Sequence, residues 1–130
     1  MPMDFNEFEL ANKYRKPSYI SLERVLFDEG VIFQDYSKKV TCVGKNSFSK
    51  NILGIDYEYC RIKDEILFNP LGIYNDGVIV KAEVERAICD MVYLFSGFYF
   101  DNLRSVDKKR LERISRIYNK RVFKEVEKIC

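Results

Sequence analysis

Lys81-Ala-Glu-Val-Glu-Arg-Ala-Ile-Cys-Asp-Met-Val-Tyr-Leu94 is the stretch that decides the fold. Val84, Ala87, Ile88, Met91, Val92 and Phe95 recur at helical spacing and cover a broad arc. A helix apolar over so wide a surface is largely buried, with Ala87, Ile88 and Met91 against a sheet. Gly97 is placed to end it. Three charged residues, Glu85, Arg86 and Asp90, interrupt the apolar run. Arg86 and Asp90 are four apart and can pair along the helix surface. Glu85 then points toward a neighbouring element, with a strand residue such as Arg61 as its expected partner. Two readings follow for this polar motif. It is either a site for a partner or ligand, or a satisfied buried network that fixes how the helix meets the sheet.

Working outward, Tyr19-Ile-Ser-Leu-Glu-Arg-Val-Leu-Phe-Asp-Glu-Gly-Val-Ile32 predicts a second helix. Ser18 or Ser21 can cap it, with Glu23 in its first turn. Leu22, Val25, Leu26 and Glu29 follow the i, i+3, i+4, i+7 pattern, and Gly30 suits a left-handed terminator. Phe5, Phe8, Leu10 and Ala11 suggest a short helix before Pro17, which stops it. From Lys39 to Lys81 the texture becomes β-branched and aromatic: Val40–Val43, Asp56–Lys63, Ile66–Phe68 and Val78–Val80. Asn75-Asp-Gly77 is a turn signal, and Lys45–Lys50 reads as a polar loop. A small sheet of roughly three to five strands, mostly antiparallel, is expected. After the Phe98-Tyr-Phe100 connector, Asp107 can cap a helical region running to Lys128, interrupted near Asn119. The fold class is therefore α+β, a small mostly antiparallel sheet packed with helices, with a helical C-terminal region. Residues 1–130 form one domain, and 102–130 its basic helical tail.

The composition supports such a core. The chain has 130 residues, 47% of them hydrophobic, with 9 Tyr, 10 Phe and no Trp. That suffices for a core without covalent staples. The formal charge is only +2, but residues 102–130 carry ten Lys/Arg against four Asp/Glu, or +6, leaving −4 for the rest. Cys42, Cys60, Cys89 and Cys130 show no C-x-x-C spacing, and histidine is absent. A zinc site would need all four thiolates to converge from distant segments, so free thiols in a cytoplasmic protein are the plain reading. Met1–Leu10 is acidic and does not resemble a secretory signal. No apolar run reaches the ~20 residues that span a bilayer, so no membrane association is expected.

Few constellations carry chemistry. Without histidine, acid–base work would fall to Lys or carboxylates. Asp56 and Glu58 share one face of a strand and could bind a metal as a pair, but a solvated strand face explains them as well. No phosphate-cradling or dinucleotide glycine motif occurs. No catalytic residue, metal or cofactor is expected. The C-terminal segment is the best candidate for a working surface. On a continuous helix, Leu111, Ile114, Tyr118, Val122, Val126 and Ile129 fall on one side. Lys109, Arg113, Arg116, Lys120 and Lys124 fall almost opposite, at ~100° per residue. That stripe could follow a phosphate backbone, face solvent or meet a partner protein.

The two helical stretches, in this order and separated by strands, resemble the antitoxin domain of the AbiEi family. That family belongs to bacterial toxin–antitoxin systems of the abortive-infection, phage-defence type. Its pattern is a YISLESAL…GLI helix, several strands, then an A-S/T-P-E-K-A-L-x-D helix. Here the second motif reads Ala82-Glu-Val-Glu-Arg-Ala-Ile-Cys-Asp90. Glu85, the basic Arg86, Ala87, Ile88 and Asp90 agree, whereas Val84 stands where the family usually has proline. The likeness covers roughly residues 16–95. It implies an antitoxin-type regulatory domain, not an enzyme, that counteracts a nucleotidyltransferase-like toxin, with or without a stable complex. Family members usually carry an N-terminal winged helix that binds promoter DNA. The residues before Tyr19 are too few for one, so the DNA-reading half is expected to be absent. Two other functions stay open: a nucleic-acid-binding or transcription-regulating module using the basic C-terminal helix, and a small metal-dependent enzyme.

Overall fold

The computed structural model describes residues 6–95 and 97–129. Phe5 and Cys130 lie outside them. A first helix, α1 (Glu7–Tyr14), is capped by Asn6, whose Oδ1 accepts from the amides of Phe8 and Glu9. It leads into β1 (Ser18–Ile20) and a short helix α2 (Glu23–Asp28). Then come β2 (Lys39–Gly44), β3 (Phe48–Ile52), β4 (Ile55–Arg61), α3 (Asp64–Leu67), β5 (Ile73–Asn75) and β6 (Val80–Ala82). Three helices close the chain: α4 (Val84–Leu94), α5 (Lys108–Ser115) and α6 (Lys120–Ile129).

The described strands form one six-stranded sheet in the order β3-β4-β2-β1-β6-β5. The α+β class holds, and the sheet, though mixed, is mostly antiparallel. The β1–β6 and β2–β4 pairings are parallel, and the other three are antiparallel. The larger strand count has a physical reason. Strand β3 lies at the sheet edge with its central Ser49, Lys50 and Asn51 exposed, so it lacks the apolar run that marks a strand and reads as the loop expected at Lys45–Lys50. Conversely, Ile66–Phe68 is not a strand. Ile66 and Leu67 belong to the single turn α3, and Phe68 is its C-cap. A short apolar run does not distinguish the two states by periodicity. Strand β6 begins only at Val80, because Asp76 Oδ1 accepts the amides of Val78 and Ile79 and holds both in the turn. That turn is the one marked by Asn75-Asp-Gly77, with Gly77 at φ +90.

The Tyr19–Ile32 stretch also differs from expectation. Its first residues are strand β1, not helix. Leu22 then sits at φ +65, a left-handed conformation costly for a branched residue, and the helix starts only at Glu23. Neither serine caps it. Thr41 Oγ1 on β2 accepts the Arg24 amide instead and donates to Ser21 O, so the sheet itself terminates the helix. Gly30 ends the region at φ +75, as the sequence indicates.

Helix α4 is the centre of the core. Every residue from Glu85 to Val92 is buried. It packs against α2, α5, α6 and β6. The last two helices insert Leu111, Ile114, Val122 and Val126, all fully buried. Asp107 Oδ1 caps α5 through the Arg110 amide, and Asn119 Oδ1 accepts the Val122 amide at the start of α6. The interruption near Asn119 is thus a true break between two helices. On the other side α1 packs on β1 and β2. The Tyr59 hydroxyl donates to Ala11 O at 2.7 Å, and Glu7 pairs with Arg24.

Candidate functional site

The polar motif on α4 opens into a buried network centred on Asp90. Tyr19 and Ser21 are two apart on either side of Ile20, so their side chains leave the chain on the same face. Both hydroxyls donate to Oδ2 of Asp90, at 2.9 and 2.7 Å. The Tyr118 hydroxyl, from the turn between α5 and α6, donates to Oδ1 at 2.5 Å. One helical turn earlier, Arg86 Nε lies 3.9 Å from Oδ1 and donates to the Tyr19 oxygen at 3.2 Å. The rest of the guanidinium caps the α3–β5 connection. Nη1 donates to the carbonyls of Asn69 and Leu71 at 2.9 and 2.6 Å, and Nη2 to Ile66 O at 2.6 Å. Gly72, at φ +79, lets this connection come close. A Cβ there would stand 2.8 Å from Ile114 Cδ1 and 3.1 Å from Arg86 Cβ.

Arg86 and Asp90 are both 0% exposed, so the pair would be costly to bury if any of its polar atoms lacked a partner. Each carboxylate oxygen and each guanidinium nitrogen has one. Burial raises the Asp90 pKa, while the Arg86 charge and the three hydroxyls act against that rise. Three donors on one carboxyl suit its ionised form, which only accepts. Burial, with the Asp90 charge beside them, pushes the phenols of Tyr19 and Tyr118 well above the ordinary value. Burial lowers the Arg86 pKa, but Tyr19, Tyr118 and Asp90 outweigh it and the group is held charged. Every charged group of the network is engaged by partners inside the fold.

Glu85 leaves this network. Its expected partner Arg61 lies elsewhere, exposed at the end of β4. Glu85 Oε2 instead accepts the Asp107 amide at 3.0 Å, and Oε1 lies 3.8 Å from Arg110 Nε. The reason is that α5 packs against α4, which the sequence alone does not reveal. Glu83 joins the same Arg110. Arg121 donates to the carbonyls of Val92 and Tyr93 near the end of α4. The C-terminal helices are thus docked by two arginines that the sequence reading did not single out. Sequence reasoning also missed Tyr19, Ser21 and Tyr118. Tyr118 was hidden because its spacing matches the apolar stripe. Tyr19 and Ser21 were hidden because the segment looks helical.

The five basic residues of the tail are all exposed: Lys109 and Arg113 on α5, Arg116 at its C-cap, Lys120 and Lys124 on α6. Among the described residues none of the five makes an ion pair. They do not form one helical stripe, because the break at 116–119 divides them between two helices. Arg116 also stacks over Phe123, 4.8 Å from the ring centre.

The other candidates are engaged separately. Asp56 accepts from Asn51 Nδ2 at 2.7 Å, and Glu58 lies 3.5 Å from Lys39 Nζ. Among the described residues no group of three or more His, Cys, Asp or Glu side chains could hold a metal. Cys42 and Cys60 are free thiols. Burial raises Cys60 to about 11 and Cys42 further still. No helix of the described residues is long and apolar enough to cross a membrane. No protein family, curated protein or solved structure matches the chain.

Proposed function

We propose that this chain is an antitoxin-type regulatory domain that counteracts a nucleotidyltransferase-like toxin of a phage-defence system, without catalysis of its own. The observation that carries the reading is the meeting of the two resembling motifs at one carboxylate. Tyr19 and Ser21 from the first and Arg86 from the second all converge on Asp90 or its phenolic partner. A sequence pattern that the fold draws into one buried network is a pattern that specifies a domain, and this supports kinship in fold beyond a chance match of helices. The charged residues of that pattern are used up in holding elements together, which suits a regulatory domain better than a catalytic one. Co-expression tests the reading. The chain should restore growth to cells arrested by a cognate nucleotidyltransferase-like toxin. Continued arrest with both proteins soluble would count against it.

A second reading, contact with nucleic acid, is favoured by one observation. Lys109, Arg113, Arg116, Lys120 and Lys124 are exposed cations, and no carboxylate among the described residues pairs with them. Phosphate contacts of that kind give affinity without base identity.

A further inference from the structure

Strand β5 separates two concavities. Tyr74 lines one and Ile73 the other, as adjacent strand residues point to opposite faces. The first is a cleft of about 570 Å³ rich in carboxylates. Most of these are already matched inside the molecule. Asp28 pairs with Arg24, Glu83 and Glu85 with Arg110, and Asp76 accepts amides of its own turn. Lys81 lies between the rings of Phe8 and Tyr74, 5.7 and 5.9 Å from their centres.

The second concavity differs. It is a groove of about 440 Å³ with Leu67, Phe68, Pro70, Ile73, Val78 and Val80 along its walls. Among the described residues its only charged lining residues are Lys13 and Lys16, and none of those lining it is a carboxylate. Phe68 and Val78 are 58% and 52% exposed, two large apolar side chains on one depression. Lys16 has no ion-pair partner among the described residues. Lys13 pairs with Glu9, but in an exposed i,i+4 geometry that is worth little and is easily exchanged. At the rim, Lys45 stands 5.8 Å from the Phe68 ring, with Asp64 3.8 Å away. The groove also borders β5, the outermost strand on this side of the sheet, where an extended chain can lie alongside.

We propose that this groove binds a short linear peptide segment of a partner protein, one that presents apolar side chains beside a carboxylate. The walls supply the apolar contact, and the two lysines supply a positive charge that no carboxylate among the described lining residues offsets. The size suits a few side chains and not a folded domain, at the low end of the ~300–1,000 Å³ typical of ligand sites. The inference rests on the groove alone and stands or falls separately from the antitoxin reading.

The test is selection of a random heptapeptide display library on the full chain. The best selected peptide, fluorescein-labelled, is then titrated by anisotropy. Selected sequences should place Asp or Glu next to Leu, Ile or Phe. Reversing both lysines, Lys13→Glu with Lys16→Glu, should weaken binding about fivefold or more, as expected for losing surface charge pairs. Phe68→Glu with Val78→Asp should abolish it. All four positions are at the surface, so unchanged thermal melts should show the variants folded. No enriched peptide, enrichment of basic peptides, or binding indifferent to both double variants would overturn the proposal. So would a dimer that Val78→Asp dissociates in sedimentation, which gives the groove to a second copy. Dodecanoate binding in the groove with no peptide selected would give it to a fatty anion and would overturn it equally.

Discussion

The hydroxyl of Tyr118 donates to Oδ1 of Asp90 at 2.5 Å, across the boundary between the C-terminal helices and the buried helix α4. Tyr19 and Ser21 of β1 occupy the other oxygen. One carboxylate therefore joins the first strand, the core helix and the α5–α6 turn. Tail docking and core integrity are coupled through it.

Tyr118→Phe should lower stability by about 1.5–3 kcal/mol, the range for a hydrogen bond to a charged group. The ring can stay where it is, 5.6 Å from Tyr93, so packing changes little. Urea unfolding should show a lower midpoint with an unchanged m value. Tyr99→Phe, at a residue 76% exposed, is the control and should be neutral. Equal midpoints for the two variants would remove Asp90 from the role assigned to it.

Asp90→Ala should cost more, about 3–5 kcal/mol, because it leaves the Arg86 charge buried without its carboxylate. Arg86→Met should cost a similar amount, since the carbonyls of Ile66, Asn69 and Leu71 lose their donor. The double variant should be less destabilised than the sum of the two, as each single change strands the other residue. Strict additivity would show that the pair is not coupled.

Gly72→Ala and Gly30→Ala separate backbone strain from crowding. Both glycines have positive φ, +79 and +75. At Gly30 a Cβ meets nothing within 4 Å, so only the left-handed penalty of about 1–2 kcal/mol applies. At Gly72 the Cβ also collides with Ile114 and Arg86, which adds about 1–3 kcal/mol of overpacking. Chemical denaturation should rank Gly72→Ala as the more damaging. The reverse order would mean that the α3–β5 connection can move aside freely.

What was legible in the sequence follows from where the information lies. Helix α4, the Asp107 cap, the Asn119 break and the Asn75–Gly77 turn are local signals, and each stands where its residues indicate. The Arg86–Asp90 pair was readable for the same reason, being one helical turn apart. Strand β3 was not, because an exposed edge strand needs no apolar residues. Nor was β1. Ser18–Ile20 is held extended by partners on β2 and β6, with Asp90, about seventy positions later, binding the Tyr19 and Ser21 hydroxyls, and Thr41 takes the capping place expected of Ser18 or Ser21. The Glu85 partner failed in the same way, since the choice between Arg61 and Arg110 is made by helix packing.

Alkaline pH should destabilise the protein more steeply than surface tyrosines would allow. Burial holds Tyr57 up to about 12, and Tyr19, Tyr59 and Tyr118 are raised as well. The unfolded chain ionises these phenols near ~10 while the folded chain keeps their protons. Folding then binds more protons than unfolding, so stability falls as pH rises above about 10 and is unaffected below it. Each retained phenol contributes up to about 1.4 kcal/mol per pH unit. The Tyr57 hydroxyl is buried with no hydrogen-bond partner among the described residues. Tyr57→Phe should therefore be neutral or stabilising near pH 7 and should flatten the alkaline slope. Denaturation midpoints taken across that range, with the ultraviolet phenolate band followed in parallel, check both halves. Phenolate forming at these sites before the fold is lost would contradict them.

The exposed cations of α5 and α6 give the last prediction. If they contact nucleic acid, binding should be weak, indifferent to sequence and steeply dependent on salt. Five candidate contacts, each releasing ~0.9 counterion on duplex DNA, limit the slope of log K against log salt to about −4 to −5. The break between the helices sharpens this limit. A contact using only Lys109 and Arg113 would give a slope near −2, because Lys120 and Lys124 sit on a different helix. Charge reversal at Arg113, Arg116 and Lys120 should abolish binding while the fold persists, with at most a small loss from the Arg116 stack on Phe123, since all three are exposed while Leu111, Ile114 and Val122 are fully buried. Arg110 and Arg121 are the internal controls. They are committed to Glu83 and to the carbonyls of Val92 and Tyr93, so replacing them should lower stability first. Fluorescence anisotropy over a salt series reads the slope directly. Superimposable curves for wild type and the triple variant would make this a solvated helix face and leave toxin antagonism as the reading to pursue.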